Sequence, residues 1–524
     1  MLKHYACIID QDYKIGEIDP HLYSTFIEHA GRVIYGGIYD PSHETADDQG
    51  FRQDVIDAVK ELKIPAVRYP GGNFVSNFDW KDSIGPRKSR PARLELAYLA
   101  IEDNEVGLDE YVDWARKTET EPMYTVNLGN PDCARDAGFL MEYCNFPGGT
   151  YWSDQRIKNG HKEPHNIKLW CLGNEMDGPW QLNAQTAYHY GLRACETAKI
   201  MKWTDPDSKL AAVGNSTAET KFPDWTREML EQCYNHVDYV SIHRYYPLLK
   251  DFDDHDPDII RYMGMGIEMQ NYIRVISSTI DYVKAKLRSK HDVYISFDEY
   301  APSAGTPHWV SLAETDGCPR TETPFIKGSP VFENHPPKTL LDALALGSMM
   351  CALLNSSDKV RMACQSMLMT SMLKAAAGKP LVKQTFFYPF QHASLYGRGE
   401  ALGTVVKADH HKTNLITWSL KEEVEIPVIQ SAAAFQRETG ELNVFLLNAD
   451  PDDVLLELDL RAFPSMELYE HIVLDGALQA NNTWEHPERV VPRKANNKMG
   501  PFSKAEILLT KQSWNVLRFR EMKS

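Results

Sequence analysis

Two glutamates in this 524-residue chain each close an apolar run with a compact polar elbow, Glu175 in KLWCLGNEMDG and Glu299 in VYISFDEY. Two carboxyl groups about 5 Å apart can split a glycosidic bond with retention: one protonates the departing oxygen while the other attacks the anomeric carbon. Other apolar runs end in residues suited to hydroxyl groups: Glu28, Asn73, Asn127, Asn174, Asn215 and His243, with Tyr245 and Tyr246 following. If all converge, three carboxylates, four amides and one imidazole face a single cavity, and an uncharged polyhydroxylated molecule is what they would bind. A metal hydrolase is not expected, because His243 is the only histidine at such a run's end and no HExxH or CxxC occurs. DFDDHDPD at 251–258 lacks the glycine of a calcium loop at its sixth position and has Tyr262 where the bidentate glutamate belongs, so a solvated loop is expected. No cofactor is expected either, since GRGEALG at 397–403 has the wrong spacing for a dinucleotide loop and no phosphate loop is present.

Residues this far apart in sequence need a scaffold that gathers them. Eight apolar runs, ending near Glu28, Asn73, Asn127, Glu175, Asn215, His243, Glu299 and Gln365, alternate with helical patterns. One such pattern puts Ala187, Tyr190, Ala194, Ala198 and Met201 on a single face, as a helix covering a sheet requires. Eight strand-helix units predict a (β/α)8 TIM barrel, whose strand ends meet at one mouth and whose fourth and seventh strands carry the two glutamates. From about residue 380 the pattern becomes period two, clearest at Val454, Leu456, Leu458 and Leu460, which predicts a C-terminal β-sandwich of jelly-roll type. The expected division is residues 1–18 as a strand joining the sandwich, 19–380 as the catalytic barrel and 381–524 as the sandwich. The Pro-, Gly- and Thr-rich stretch at 302–330 is expected to lie over the barrel mouth.

Composition narrows the partners. A net charge of −17 with no basic stripe excludes nucleic acid and anionic membrane surfaces as natural partners. No run of about 18 apolar residues or signal-type leader is present, and the nine cysteines are odd in number and mostly within apolar segments. A cytoplasmic protein with free thiols is expected.

The longer motifs resemble one family, the α-L-arabinofuranosidases of glycoside hydrolase family 51. They are FIEHAGRVIYGGIYD, VRYPGGNFVSNFDWKDSIGP, EDNEVGLDEY, MEYCNFPGGTYWSDQR, KLWCLGNEMDGPWQ, VDYVSIHRYY, SFDEY, YPFQHASLYGRG and SWNVLRF, spread over nearly the whole chain. The resemblance implies a retaining, exo-acting enzyme that releases arabinofuranosyl residues from oligosaccharides and assembles as a homohexamer. It implies Glu175 as acid/base and Glu299 as nucleophile, with Glu28, Asn73 and Asn174 binding sugar hydroxyls and Tyr245 contacting the nucleophile. Arg68 would lower the nucleophile's pKa and Trp180 would form a platform for the leaving sugar. Four departures stand out: Tyr98 replaces a tryptophan, Arg244 follows His243, DEYAPSA occupies 298–304, and Met367 replaces a glutamine. Placed around the sugar, these would widen the pocket toward a hexofuranose such as galactofuranose. A binding protein on a decayed hydrolase fold is the non-catalytic alternative.

Overall fold

The structure, a computed structural model, describes residues 2–217, 221–248, 258–303, 325–327, 336–417, 420–496 and 499–522. Most of the 302–330 stretch and residues 251–257 of the acidic run therefore lie outside the described residues.

After an N-terminal strand β1 (Lys3–Glu17), eight parallel strands close into a barrel in chain order: β2 (Ser24–Phe26), β3 (Ala66–Tyr69), β4 (Glu121–Val126), β5 (Leu169–Leu172), β6 (Lys209–Val213), β7 (Tyr239–Pro247), β8 (Tyr294–Ser303) and β9 (Val360–Gln365). Closure comes from β9 beside β2, where Cys364 and Gln365 pair with Ser24 and Thr25. The TIM barrel expected from the eight apolar runs is what forms. AVRY and LWCL are buried along their whole length, because a strand in such a sheet meets core on one face and helix on the other.

Helices cover the outside. In α1 (Gln53–Leu62), Val55, Ile56, Val59 and Leu62 turn inward at spacings of three and four; α2 (Leu108–Thr118) packs beside it, and between α3 (Cys133–Asn145) and α5 (Asp224–Cys233) lies α4 (Ala187–Thr204), which buries the Ala187, Tyr190, Ala194, Ala198 and Met201 face. After α6 (Gly266–Leu287), helix α7 (Leu340–Leu354) is buried all round, as a helix enclosed between two layers must be. Its Gly347 allows the approach of the second domain, since a Cβ there would stand 2.6 Å from the Trp514 ring. Helix α8 (Phe387–Tyr396) packs on α1 and α7, so the barrel's helical ring runs past residue 380 and the first strand of the second domain, β10, starts at Glu400 (Glu400–Lys407).

The second domain is β-rich. Strands β11 (Ile429–Gln436), β12 (Glu441–Asn448), β13 (Val454–Asp459), β14 (Met466–Leu474), β15 (Lys504–Leu509) and β16 (Ser513–Glu521) join β10, β1 and the two short strands Arg493–Lys494 and Met499–Phe502 in a ten-stranded sheet. Within it β1 runs antiparallel to β10 and parallel to β13. Strands far apart in the sheet share one core, Leu456 and Ile507 meeting Leu468 and Phe519, so the sheet folds over as a sandwich. The apolar run NVFLLN in β12 is buried on both faces: Val444 and Leu446 enter this core, while Phe445 and Leu447 join the barrel's.

One contact ties the two domains through a titratable group. The Trp514 indole Nε1 on β16 donates to His392 Nδ1 on α8 at 3.2 Å, and burial pushes His392 down to about 4. Its folded pKa lies below the unfolded one, so an unfolded chain takes up a proton that the folded chain refuses. Stability contributed by the neutral ring is therefore lost as pH falls from about 6.5 toward 4, by up to about 3 kcal/mol. Chemical denaturation of His392→Gln, which keeps an acceptor for Trp514, should show a flatter pH dependence over that window than wild type. Equal slopes would mean that His392 titrates normally.

Candidate active site

At the C-terminal ends of the strands the backbone makes sharp turns that aim side chains across the mouth. After β3, Gly71 has φ +103°, and a Cβ there would meet the Glu28 Cβ at 2.6 Å. A Cβ on Gly72 would stand 3.1 Å from both Glu28 carboxyl oxygens and from Glu299 Oε1. Glycine is required where the chain passes between two carboxyl groups. After β5, Gly173 at φ +91° and Glu175 itself at φ +45° form the elbow that lifts Glu175 into the mouth. A left-handed conformation at a non-glycine residue is a strained one. Asp177 holds the following loop by accepting from the Ser216 backbone N–H at 2.9 Å.

Glu299, from β8, is nearly buried and wrapped in donors. Arg68 Nη1 donates to Oε1 at 2.8 Å and Tyr245 OH to Oε2 at 2.7 Å. Burial alone would raise this carboxyl; His243 and Arg68, with the Tyr245 hydroxyl, outweigh it and hold Glu299 below the ordinary glutamate value. Glu175 accepts from the Trp180 indole Nε1 at 2.5 Å through Oε2, and its Oε1 lies 3.0 Å from His243 Nδ1. The same nitrogen is 3.7 Å from Glu299 Oε2. Burial disfavours charge on His243, yet the Glu299 carboxylate and the contact with Glu175 outweigh it and raise its pKa above the ordinary histidine value.

A ligand atom from each of Glu175, His243 and Glu299 lies within 4.8 Å of the others. Carboxyl groups that close leave no room for a water between substrate and the second carboxylate, so direct attack is the chemistry they can perform. The three groups are also near enough to hold an ion, but Arg68 already neutralises Glu299, and a buried guanidinium beside it opposes a second cation.

The sugar-binding candidates form one chain of amides. Asn174 Oδ1 accepts from Arg68 Nη2 at 2.6 Å, and its amide donates to Asn73 Oδ1 at 3.3 Å and to Gln181 Oε1 at 3.2 Å. Glu28 Oε1 accepts from the Phe74 backbone N–H at 3.0 Å and from Tyr98 OH at 2.9 Å.

Residues 58–258 match the α-L-arabinofuranosidase 1 domain, and residues 308–513 match the α-L-arabinofuranosidase C-terminal domain. An intracellular exo-α-(1→5)-L-arabinofuranosidase of Halalkalibacterium halodurans is 42% identical over 518 residues, 98% of each chain. One from Bacillus subtilis is 39% identical over 99% of this chain and 100% of its own. A solved family 51 α-L-arabinofuranosidase from Bifidobacterium longum superposes with a TM-score of 0.88 at 33% identity, over 98% of this chain and 99% of that one. The chain belongs to the glycoside hydrolase family 51 α-L-arabinofuranosidases.

Within this family member, Glu28, Arg68, Asn73, Tyr98, Asn174, Glu175, Trp180, His243, Tyr245 and Glu299 are linked by the contacts above. Other strand-end residues are not. Asn127 spends its amide on the Ser76 and Phe78 carbonyls, and Asn215 Oδ1 accepts from the Thr226 hydroxyl on α5 at 2.7 Å, so both fix loops. Arg244 is a correction to the four departures: its guanidinium pairs with Glu268 on α6 and lies beside Tyr272. Alternation along β7 explains this, since His243 and Tyr245 point into the mouth and Arg244 and Tyr246 point out. Met367 follows β9 and is 7% exposed among the barrel's apolar side chains. Gln181 escaped the sequence reading although it lies in the quoted GPWQ; it is buried and donates to Ser76 Oγ as well as accepting from Asn174.

Proposed function

We propose that this chain is an exo-acting, retaining α-L-arabinofuranosidase that removes terminal arabinofuranosyl residues from oligosaccharides, with Glu299 as nucleophile and Glu175 as acid/base. The observation that carries the division of roles is the unequal surroundings of the two acids. Glu299 is held ionised by Arg68, His243 and Tyr245, as an attacking carboxylate must be. In the first step Glu299 attacks the anomeric carbon while Glu175 gives its proton to the departing oxygen. In the second Glu175 takes a proton from the water that hydrolyses the furanosyl ester, which returns the original anomeric configuration. Glu28, Asn73 and Asn174 bind the ring hydroxyls in this reading. Trp180, joined to Glu175, stands where the leaving sugar departs.

Ser76, tied to Gln181, also lines a cleft of about 490 Å³ with Asn127, Asn183 and Arg193, which supplies room for further sugar units. The names of the Halalkalibacterium and Bacillus relatives favour α-(1→5) linkages and an intracellular setting. No described helix is long and apolar enough to cross a membrane. With Arg244 outside the pocket, one of the four grounds for a hexofuranose substrate falls away, and arabinofuranosides are the preferred class. Incubated with linear α-(1→5)-arabinotriose, the enzyme should first yield arabinose and arabinobiose in equal amounts. Faster cleavage of a β-D-galactofuranoside than of the matching α-L-arabinofuranoside would overturn the substrate assignment.

Residues 1–18 are grouped with the sandwich on the pairing of β1. Assembly as a homohexamer is supported by the family resemblance and by Tyr188, Leu192 and Trp203 on the outer face of α4, Trp203 being 81% exposed. The mass in solution reads it directly.

A further inference from the structure

Glu28 is buried against Glu299, and the two carboxyl groups face each other across Gly72. Arg68 is the nearby guanidinium, but its hydrogen bonds go to Glu299 and Asn174. What meets Glu28 comes from three other directions. The Phe74 N–H after β3 and the Tyr98 hydroxyl both donate to Oε1, and Glu299 presents negative charge from β8. Both donors go to Oε1, which makes it the accepting oxygen of the carboxyl group. Oε2, beside an ionised neighbour, is left as the place for a proton.

Tyr98 is built into position. It sits in the turn between Arg93–Glu95 and Ala100–Glu102, which pair as a hairpin. The Glu95 carboxyl group, pushed up to about 7 by burial, grips that turn, accepting from the Ala97 N–H at 2.8 Å and the Tyr98 N–H at 2.6 Å. A hairpin closed this way delivers one hydroxyl, 8% exposed, to one oxygen. In this chain that hydroxyl stands where the family resemblance led to a tryptophan.

We propose that Glu28 meets the sugar as a neutral carboxylic acid that donates a hydrogen bond through Oε2, and that Tyr98, set by Glu95, is the positioning residue that confines the proton to that oxygen. The identity of the acceptor, a furanose hydroxyl, rests on the function proposed above. The protonation does not. Burial and the Glu299 charge push Glu28 up to about 8, against the Phe74 and Tyr98 donors and Arg68, so the acid form prevails at neutral pH.

Infrared difference spectra of wild type against Glu28→Gln at pH 7 should show a carboxylic-acid C=O stretch that is lost in the variant and titrates near about 8. In Tyr98→Phe the carboxylate loses a donor, so the same band should persist to higher pH. No band, or one unchanged in Glu28→Gln, overturns the proposal. So does a band in Tyr98→Phe with the wild-type midpoint. Kinetics supply the second reading, with a 2,4-dinitrophenyl α-L-arabinofuranoside whose leaving group does not need the Glu175 proton. Wild-type kcat/KM should fall as pH rises through the Glu28 titration, and Glu28→Gln should lack that fall. Glu28→Ala should lose about 10–100-fold more kcat/KM than Glu28→Gln, since the amide still donates. Equal losses would mean that Glu28 acts as an ionised acceptor. A protein that shows the band and cleaves no furanoside would refute the proposed function while supporting the protonation.

Discussion

Glu299→Ala should lower kcat/KM for an aryl α-L-arabinofuranoside by at least about 10⁴-fold, whatever the leaving group, because no covalent furanosyl enzyme can form. Glu175→Ala should behave differently. With a poor leaving group its kcat/KM should fall by about 10²–10⁴-fold, the usual worth of a general acid, and with dinitrophenolate it should fall little. Breakdown of the intermediate then becomes slow, since nothing deprotonates water. Added azide, which needs no base, should restore turnover and give an arabinofuranosyl azide of retained configuration. Steady-state kinetics with a graded series of phenols decides the matter. A Glu175 variant indifferent to leaving group and azide, or one inverted product, would reverse or remove the assigned roles.

The second large effect concerns Arg68. Its guanidinium donates at once to the nucleophile and to Asn174, and it is fully buried. Arg68→Met should lower kcat/KM by about 10²–10³-fold, the cost typical of removing a preorganised charged donor from a dry site. The pH profile carries the specific signature. Arg68 and His243 hold the Glu299 pKa down against burial, and the nucleophile works only when ionised, so activity lies above that pKa. Without the guanidinium the pKa rises and the acid limb of kcat/KM should move to higher pH. Lys in its place should recover part of the shift, whereas an unmoved limb would mean that Arg68 only packs.

How much of this was legible beforehand follows from what each residue answers to. The eight strands were readable because short apolar runs buried on both faces leave a continuous signature, and the polar residue that ends each run marks the mouth. Glu175 and Glu299 could be singled out on that ground alone. Direction was harder to read. Asn127 and Asn215 occupy equivalent strand ends, yet Asn127 turns to carbonyls in the loop after β3 and Asn215 to Thr226 on α5, a matter of turn geometry that a list of types does not contain. Arg244 could have been placed by alternation once His243 was taken as inward, and Glu268 on α6 supplies its counter-charge. Tyr98 reaches Glu28 only because a hairpin folds back over the mouth, and Gln181 joins Asn174 only because NEMDGPWQ turns tightly. α8 follows the break in periodicity near 380 and still packs on the barrel, since its Phe387, Phe390 and Ala393 are buried there.

The most direct test of the account is to find where the sugar becomes attached. Glu175→Ala, mixed briefly with 2,4-dinitrophenyl α-L-arabinofuranoside and quenched in acid, should gain the mass of one anhydropentosyl unit, and peptide mapping should place it on Glu299 in the peptide containing SFDEY. An adduct on any other carboxylate, or burst release of the phenol with no adduct at all, would contradict it.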